Sequence, residues 1–290
     1  MIRLSDVTAG YLLGLTGVLI FAGTLPMTRV ALGGFDSWLI ACGRAAVASI
    51  VAAAALILLR RRFPVGKSAW LLLAGLMLVF GFPGFSSLAM MTVPAGHGGV
   101  VLGILPLLTA AFAAWIGGER PGPAFWALSL LGAGLVVAFT LLASDITPGI
   151  GDLWLALAAI CAACGYTVSG RLSRDLAGWE VIAWALVLTA PLSVTATLVT
   201  APAGLHDPTG REWAAFLYLS LGSMFGGFIF WNAGLARGGI ARVGQVQLIQ
   251  TFATLAISAL LLGERITPAM ILFACAVGAV VWAGRRARIG

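Results

Sequence analysis

Charge is what this chain lacks most. Asp, Glu, Lys and Arg make up 9% of its 290 residues, against 61% apolar residues and a mean hydropathy of +1.05. A water-soluble domain of this length needs far more charge to cover its surface, so that class is excluded. Metal and nucleotide chemistry are almost as poorly supplied. There are two histidines, no His-Glu metal motif, and no G-x-x-x-x-G-K-[ST] loop for ATP hydrolysis. Cys42, Cys161, Cys164 and Cys275 all fall in apolar stretches. The 161–164 pair has redox-like spacing, but two sulfurs do not complete a zinc site. All four read as small core residues with free thiols, and no cofactor is expected.

Long uncharged runs are what the chain has instead. Crossing roughly 30 Å of hydrocarbon takes about 20 helical residues. Ten windows qualify: 11–28, 37–59, 68–91, 98–118, 122–144, 153–170, 181–205, 213–236, 243–263 and 266–284. Barrel strands alternate and are about half this long, so the pattern predicts an all-α integral membrane protein with ten transmembrane helices. The first window is too long for a cleavable signal and precedes no soluble domain. With a cytoplasmic N-terminus, thirteen Lys and Arg fall inside and three, Arg29, Arg211 and Arg265, fall outside. Ten crossings then place both termini in the cytoplasm. The net charge of +7 reads as this topology bias and as attraction to anionic lipid. Basic residues scattered over many loops make no nucleic-acid surface.

A Gly-Glu-Arg triplet occurs twice, and Glu119 and Glu264 are 145 positions apart. The same shift lays Gly81 on Gly226, Phe85 on Phe230 and Gly99 on Gly244. The chain therefore divides into repeats 1–147 and 148–290, each with five crossings. Five is odd, so the second copy enters the membrane inverted, the arrangement from which alternating-access carriers are built. The triplet reads as a turn whose carboxylate sits near the N-terminus of the next helix, where it is favourable. Thr267 and Pro268 suit a cap and a first helical position there. A direct part in transport is the other reading.

"ILPLLTAAFAAWIGGER" from Ile104, "QLIQTFATLAISALLLGERITP" from Gln247 and "TRVALGGFDSWLIACGRAAVASIVAAAALIL" from Thr28 together resemble the EamA type of the drug/metabolite transporter superfamily. The resemblance covers essentially the whole chain. It implies a ten-helix exporter of amino acids, drugs or other metabolites in a bacterial-type inner membrane; the oligomeric state is left open, and a monomer would suffice. One departure stands out: the family's proline in the ninth helix is Thr251 here, while its first-half equivalent, Pro106, is kept.

Polar groups in a spanning bundle belong to its interior. Gln247, Thr251, Thr254 and Ser258 follow i, i+4, i+7, i+11 spacing and share one narrow face. That face lines a cavity or glues helices together. Thr109 is the comparable group on the fourth helix. Glycines and Pro83 loosen the third and eighth helices, which carry Ser86, Trp231 and Asn232. Trp231 reads as an interfacial anchor or a substrate platform, and Asn232 as inward-facing. Arg44 is the only charge inside any window. It must find a substrate carboxylate, a structural partner or water. His97 is a gate or a solvated interfacial residue, and Tyr166 a substrate contact or a packing group.

No Asp or Glu lies inside a window, so the usual intramembrane proton relay is missing. The resulting expectation is a non-enzymatic secondary carrier exporting amino acids, aromatic or otherwise hydrophobic, as a facilitator or exchanger. Efflux of amphiphilic drugs is the alternative, and a membrane-embedded enzyme a weaker one. Substrate and membrane lipid are the expected partners.

Overall fold

A computed structural model of the protein describes residues 6–118, 122–139 and 149–284; Glu119 and Arg120 lie outside the described residues. In chain order the helices are α1 (Asp6–Ala31), α2 (Ser37–Leu58), α3 (Val65–Ala89), α4 (Ala95–Trp115), α5 (Pro123–Ala138), α6 (Ile150–Leu172), α7 (Gly178–Gly204), α8 (Gly210–Gly238), α9 (Ile240–Leu262) and α10 (Pro268–Gly284). Eight of them, all but α5 and α10, are long and apolar enough to cross a membrane. Among the described residues there is no strand, only an antiparallel bridge between Phe35 and Leu205. This is an all-α integral membrane protein.

Local chemistry sets the helix ends. Thr209 and Glu212 form a reciprocal cap at the start of α8. Gly118 and Gly263 carry φ of 75° and 65°, a left-handed geometry that a side chain would strain. These are the repeat-related glycines of the triplet, so the glycine is there to turn the chain. Thr267 accepts the Met270 N–H at 3.2 Å and caps α10. Glu264, however, does not serve that helix. Its carboxylate accepts the backbone N–H groups of Ala95 (2.9 Å) and Gly96 (2.7 Å) at the start of α4. Those N–H groups have no acceptor within their own helix, and the dipole there favours negative charge.

The main helix pairings persist when the first five helices are exchanged for the last five. α1 packs on α8 and α3 on α6; α2 pairs with α7, α5 with α10 and α4 with α9; α4 also meets α6, as α9 meets α1. The α4–α9 contact runs antiparallel through small residues. A Cβ on Gly99 would stand 2.8 Å from Cγ2 of Thr254, and one on Gly244 would stand 3.4 Å from Cγ2 of Thr109. The 145-residue shift converts the first pair into the second. Side-chain polar contacts follow the same exchange: His206 meets Asp36 (3.0 Å) where α7 ends and α2 begins, and Arg61 meets Glu180 (3.1 Å) where α2 ends and α7 begins. α3 and α8 are both wound as π-helix, over Leu76–Gly81 and Tyr218–Gly227, and these stretches overlap under the shift.

In lipid, apolar side chains gain little by facing inward, so small residues and hydrogen bonds do the gluing. Leu260 is accordingly 84% exposed. Cys275 is exposed as well, which corrects its reading as a core residue; only Cys42, Cys161 and Cys164 are buried. A thiol facing hydrocarbon incurs little penalty. Substituting valine for Gly99 is expected to force α4 and α9 apart and to lower stability by about 1–3 kcal/mol. Thermal unfolding in detergent reads this, and an unchanged midpoint would mean that the close contact is dispensable.

Candidate functional site

Arg44 stands two turns into α2 and is 2% exposed. Gly43 beside it leaves room for Phe216, whose Cζ would be 2.9 Å from a Cβ there. Nη2 of Arg44 donates to Ser223 Oγ at 3.0 Å, and that hydroxyl shares a 2.8 Å hydrogen bond with Thr24 Oγ1. Nε and Nη1 have no partner, and no carboxylate pairs with the guanidinium among the described residues. The side chain therefore neither snorkels nor forms a structural ion pair. A buried donor left unmade costs about 1–3 kcal/mol, more when charged, and two nitrogens of this guanidinium remain open to an acceptor.

Two tyrosine rings, Tyr166 and Tyr218, lie within electrostatic reach of Arg44. Tyr166 on α6 lies 5.3 Å from Trp231 and 6.0 Å from Phe228, both on α8, and Phe21 on α1 lies 4.9 Å from Phe228. Trp231 is fully buried, and its Nε1–H has no acceptor. The interfacial-anchor reading is thereby corrected, because an anchor needs its ring at the headgroup level. Three helices thus hold a ring cluster beside a cation with free donors. Such a place suits a molecule with a carboxylate and an apolar ring.

The other polar groups separate into distinct roles. Gln247 is buried with both amide atoms unpartnered, as is the Thr109 hydroxyl. Asn232 donates from Nδ2 to the Gly178 carbonyl at 3.1 Å and leaves Oδ1 free. Thr254 donates to the Ala22 carbonyl at 2.9 Å and packs on Gly99, while Thr251 Oγ1 faces Gly103. These two threonines join helices. Ser86 bonds its own helix at the Pro83 carbonyl (3.2 Å).

His97 is fully buried rather than solvated. Its Nε2 bonds Asp152 Oδ1 at 2.7 Å, and Nδ1 is unpartnered. Asp152 falls just before the sixth apolar window, yet α6 begins at Ile150 and takes it into its first turn. Its other oxygen caps the Gly149 N–H at 3.1 Å. The pair ties the starts of α4 and α6 together. Sequence reasoning missed Ser223, Thr24, Phe21 and Phe228, whose only signal was a hydroxyl or ring inside an apolar run.

The sequence matches the EamA-like transporter family twice, over residues 8–144 and 149–283. It is 38% identical over 284 residues to the Bacillus subtilis protein "Uncharacterized transporter YdeK", covering 98% of this chain and 99% of the relative. It is 30% identical over 267 residues to "Aromatic amino acid exporter YddG" of Ancylobacter novellus, covering 87% and 86%. A solved protein crystal structure superposes with a TM-score of 0.66 at 27% identity, over 96% of this chain and 95% of that one. The chain belongs to the EamA-like transporter family of the drug/metabolite transporter superfamily, and it is a transporter rather than an enzyme.

Proposed function

We propose that this transporter exports aromatic or other hydrophobic amino acids across a bacterial inner membrane by alternating access. In this reading ten helices form two inverted repeats, 1–147 and 148–290, with both termini cytoplasmic. The exchangeable helix pairings and the antiparallel α4–α9 contact support the inversion. The observation that carries the substrate class is Arg44, a buried guanidinium with Nε and Nη1 free beside the Phe21, Tyr166, Phe228 and Trp231 rings. A carboxylate on Arg44 and a ring among the aromatics would satisfy both. The exporter name of the relative that is 30% identical points the same way.

Amphiphile efflux has one observation in its favour. An apolar groove of about 350 Å³ opens between α2 and α7, lined by Phe35, Leu39, Ile50, Leu198, Trp213 and Phe216. It has no charged group to hold an amino acid.

The test is saturable counterflow of labelled phenylalanine in proteoliposomes, with phenethylamine, which lacks the carboxylate, as the control. Phenylalanine is expected to exchange and phenethylamine is not. Equal exchange of both would support the amphiphile reading. The carboxylates in described helices lie near helix ends, so transport is expected to run on the substrate's own gradient. Collapsing the pH gradient is then expected to leave the initial rate unchanged; a strict dependence on that gradient would sink the facilitator reading.

A further inference from the structure

We infer that the carrier has two carboxylate-recruiting vestibules, one at each membrane face, related by the internal repeat and built around Arg29 and Arg174. This rests on the carrier reading above. One cavity of about 380 Å³ lies where α1 ends and α2 begins, and Arg29, Gly33, Asp36, Ser37 and Met91 help line it. A second, of about 440 Å³, lies where α6 ends and α7 begins, with Arg174, Gly178, Trp179 and Arg237 in its wall. The 145-residue shift carries Arg29 onto Arg174, Leu32 onto Ala177, Gly33 onto Gly178 and Met91 onto Ala236, each a lining residue of the respective cavity. Two cavities at repeat-equivalent places, each with an arginine at the same repeat position, make a matched pair. In an inverted repeat they open to opposite faces.

Each cavity stands at the head of helices that lead to the central site. In the first, Ser37 lies seven residues, two turns, before Arg44 on α2, and α1 carries both Arg29 and Thr24. In the second, Ser173 follows Tyr166 by the same seven residues. There α8 carries Trp231, Asn232 and Arg237, and Asn232 bonds the carbonyl of the lining Gly178. Arg29 spends one donor on the Met90 carbonyl, and a guanidinium has five. A guanidinium in the wall offers charge-assisted hydrogen bonds to the carboxylate of a zwitterionic amino acid, and Asp36 in the first wall is a charge its ammonium can meet. The oxyanion recognised could also be a lipid phosphate. The two-turn path from each mouth to the central site favours the carboxylate of the transported molecule.

The experiment measures phenylalanine half-saturation from each face, in right-side-out and inside-out membrane vesicles. Arg29→Gln is expected to raise it about tenfold from the outer face alone, and Arg174→Gln about tenfold from the inner face alone. Maximal rates must shift to compensate, since equal concentrations on both sides allow no net flux. Thermal midpoints of both variants should match that of the unsubstituted protein. The proposal is overturned if neither variant changes half-saturation, or if either changes both faces equally. It is also overturned if the effects vanish in pure phosphatidylcholine proteoliposomes, because the arginines would then be holding anionic lipid. Absence of phenylalanine counterflow in the unsubstituted protein would instead overturn the carrier reading on which it rests.

Discussion

Replacing Arg44 with methionine is expected to reduce phenylalanine counterflow about a hundredfold while leaving the protein at least as stable as before. The two halves of this expectation come from one fact. Holding a guanidinium away from water costs several kcal/mol, and Arg44 recovers only one hydrogen bond, to Ser223. An apolar side chain of similar length removes that penalty, and Ser223 keeps its bond to Thr24. The transport loss follows because Nε and Nη1 are the donors left for a carboxylate, and two charge-assisted bonds are together worth about 3 kcal/mol or more. Arg44→Lys keeps the charge but loses the fork, so an intermediate rate is expected. A structural ion pair would behave oppositely: unfolding measurements would then show a marked loss of stability in the methionine variant.

Removing the Glu264 carboxylate is expected to cost about 3 kcal/mol of stability. It satisfies two buried N–H groups at once, those of Ala95 and Gly96, and both bonds are short. Glu264→Gln keeps one acceptor oxygen and should recover part of the loss, whereas Glu264→Ala should recover none. Transport should fall with it, because α4 begins at that cap and His97 follows one residue later. Chemical or thermal unfolding of the two variants tests this. Equal stability of alanine and glutamine would remove the capping explanation.

The repeated triplet illustrates how far local reasoning reaches. Its glycine was legible, because a chain that must leave a helix and turn at once favours a residue without a Cβ. The destination of its glutamate was not. Spacing pointed to the next helix, but Ala95 lies 169 residues back in the chain, and no local rule reaches that far. The polar face of α9 behaved similarly. Period and residue type placed Gln247, Thr251, Thr254 and Ser258 on one side, and all four are buried. Whether each lines a cavity or meets a glycine depended on the opposite helix. Gly99 and Gly103 of α4 took the two threonines, and Gln247 was left without a partner. Only the solvated reading of His97 failed, and for a related reason: Asp152 lay just beyond an apolar window, and its carboxylate reaches His97 because α6 starts at Ile150.

By itself the sequence determined the solvent this protein lives in, the helices, and where small or polar residues recur along them. Composition and spacing act over a few residues, and a bilayer punishes every unsatisfied backbone group, so long unbroken apolar runs must form helices. Only the tertiary structure decided which side chains meet. Arg44 finds Ser223 across 179 residues, and the aromatic cluster draws on three separate helices. In lipid, where hydrophobicity does not direct helix to helix, such partnerships follow from shape and hydrogen bonding between surfaces that only the folded chain brings together.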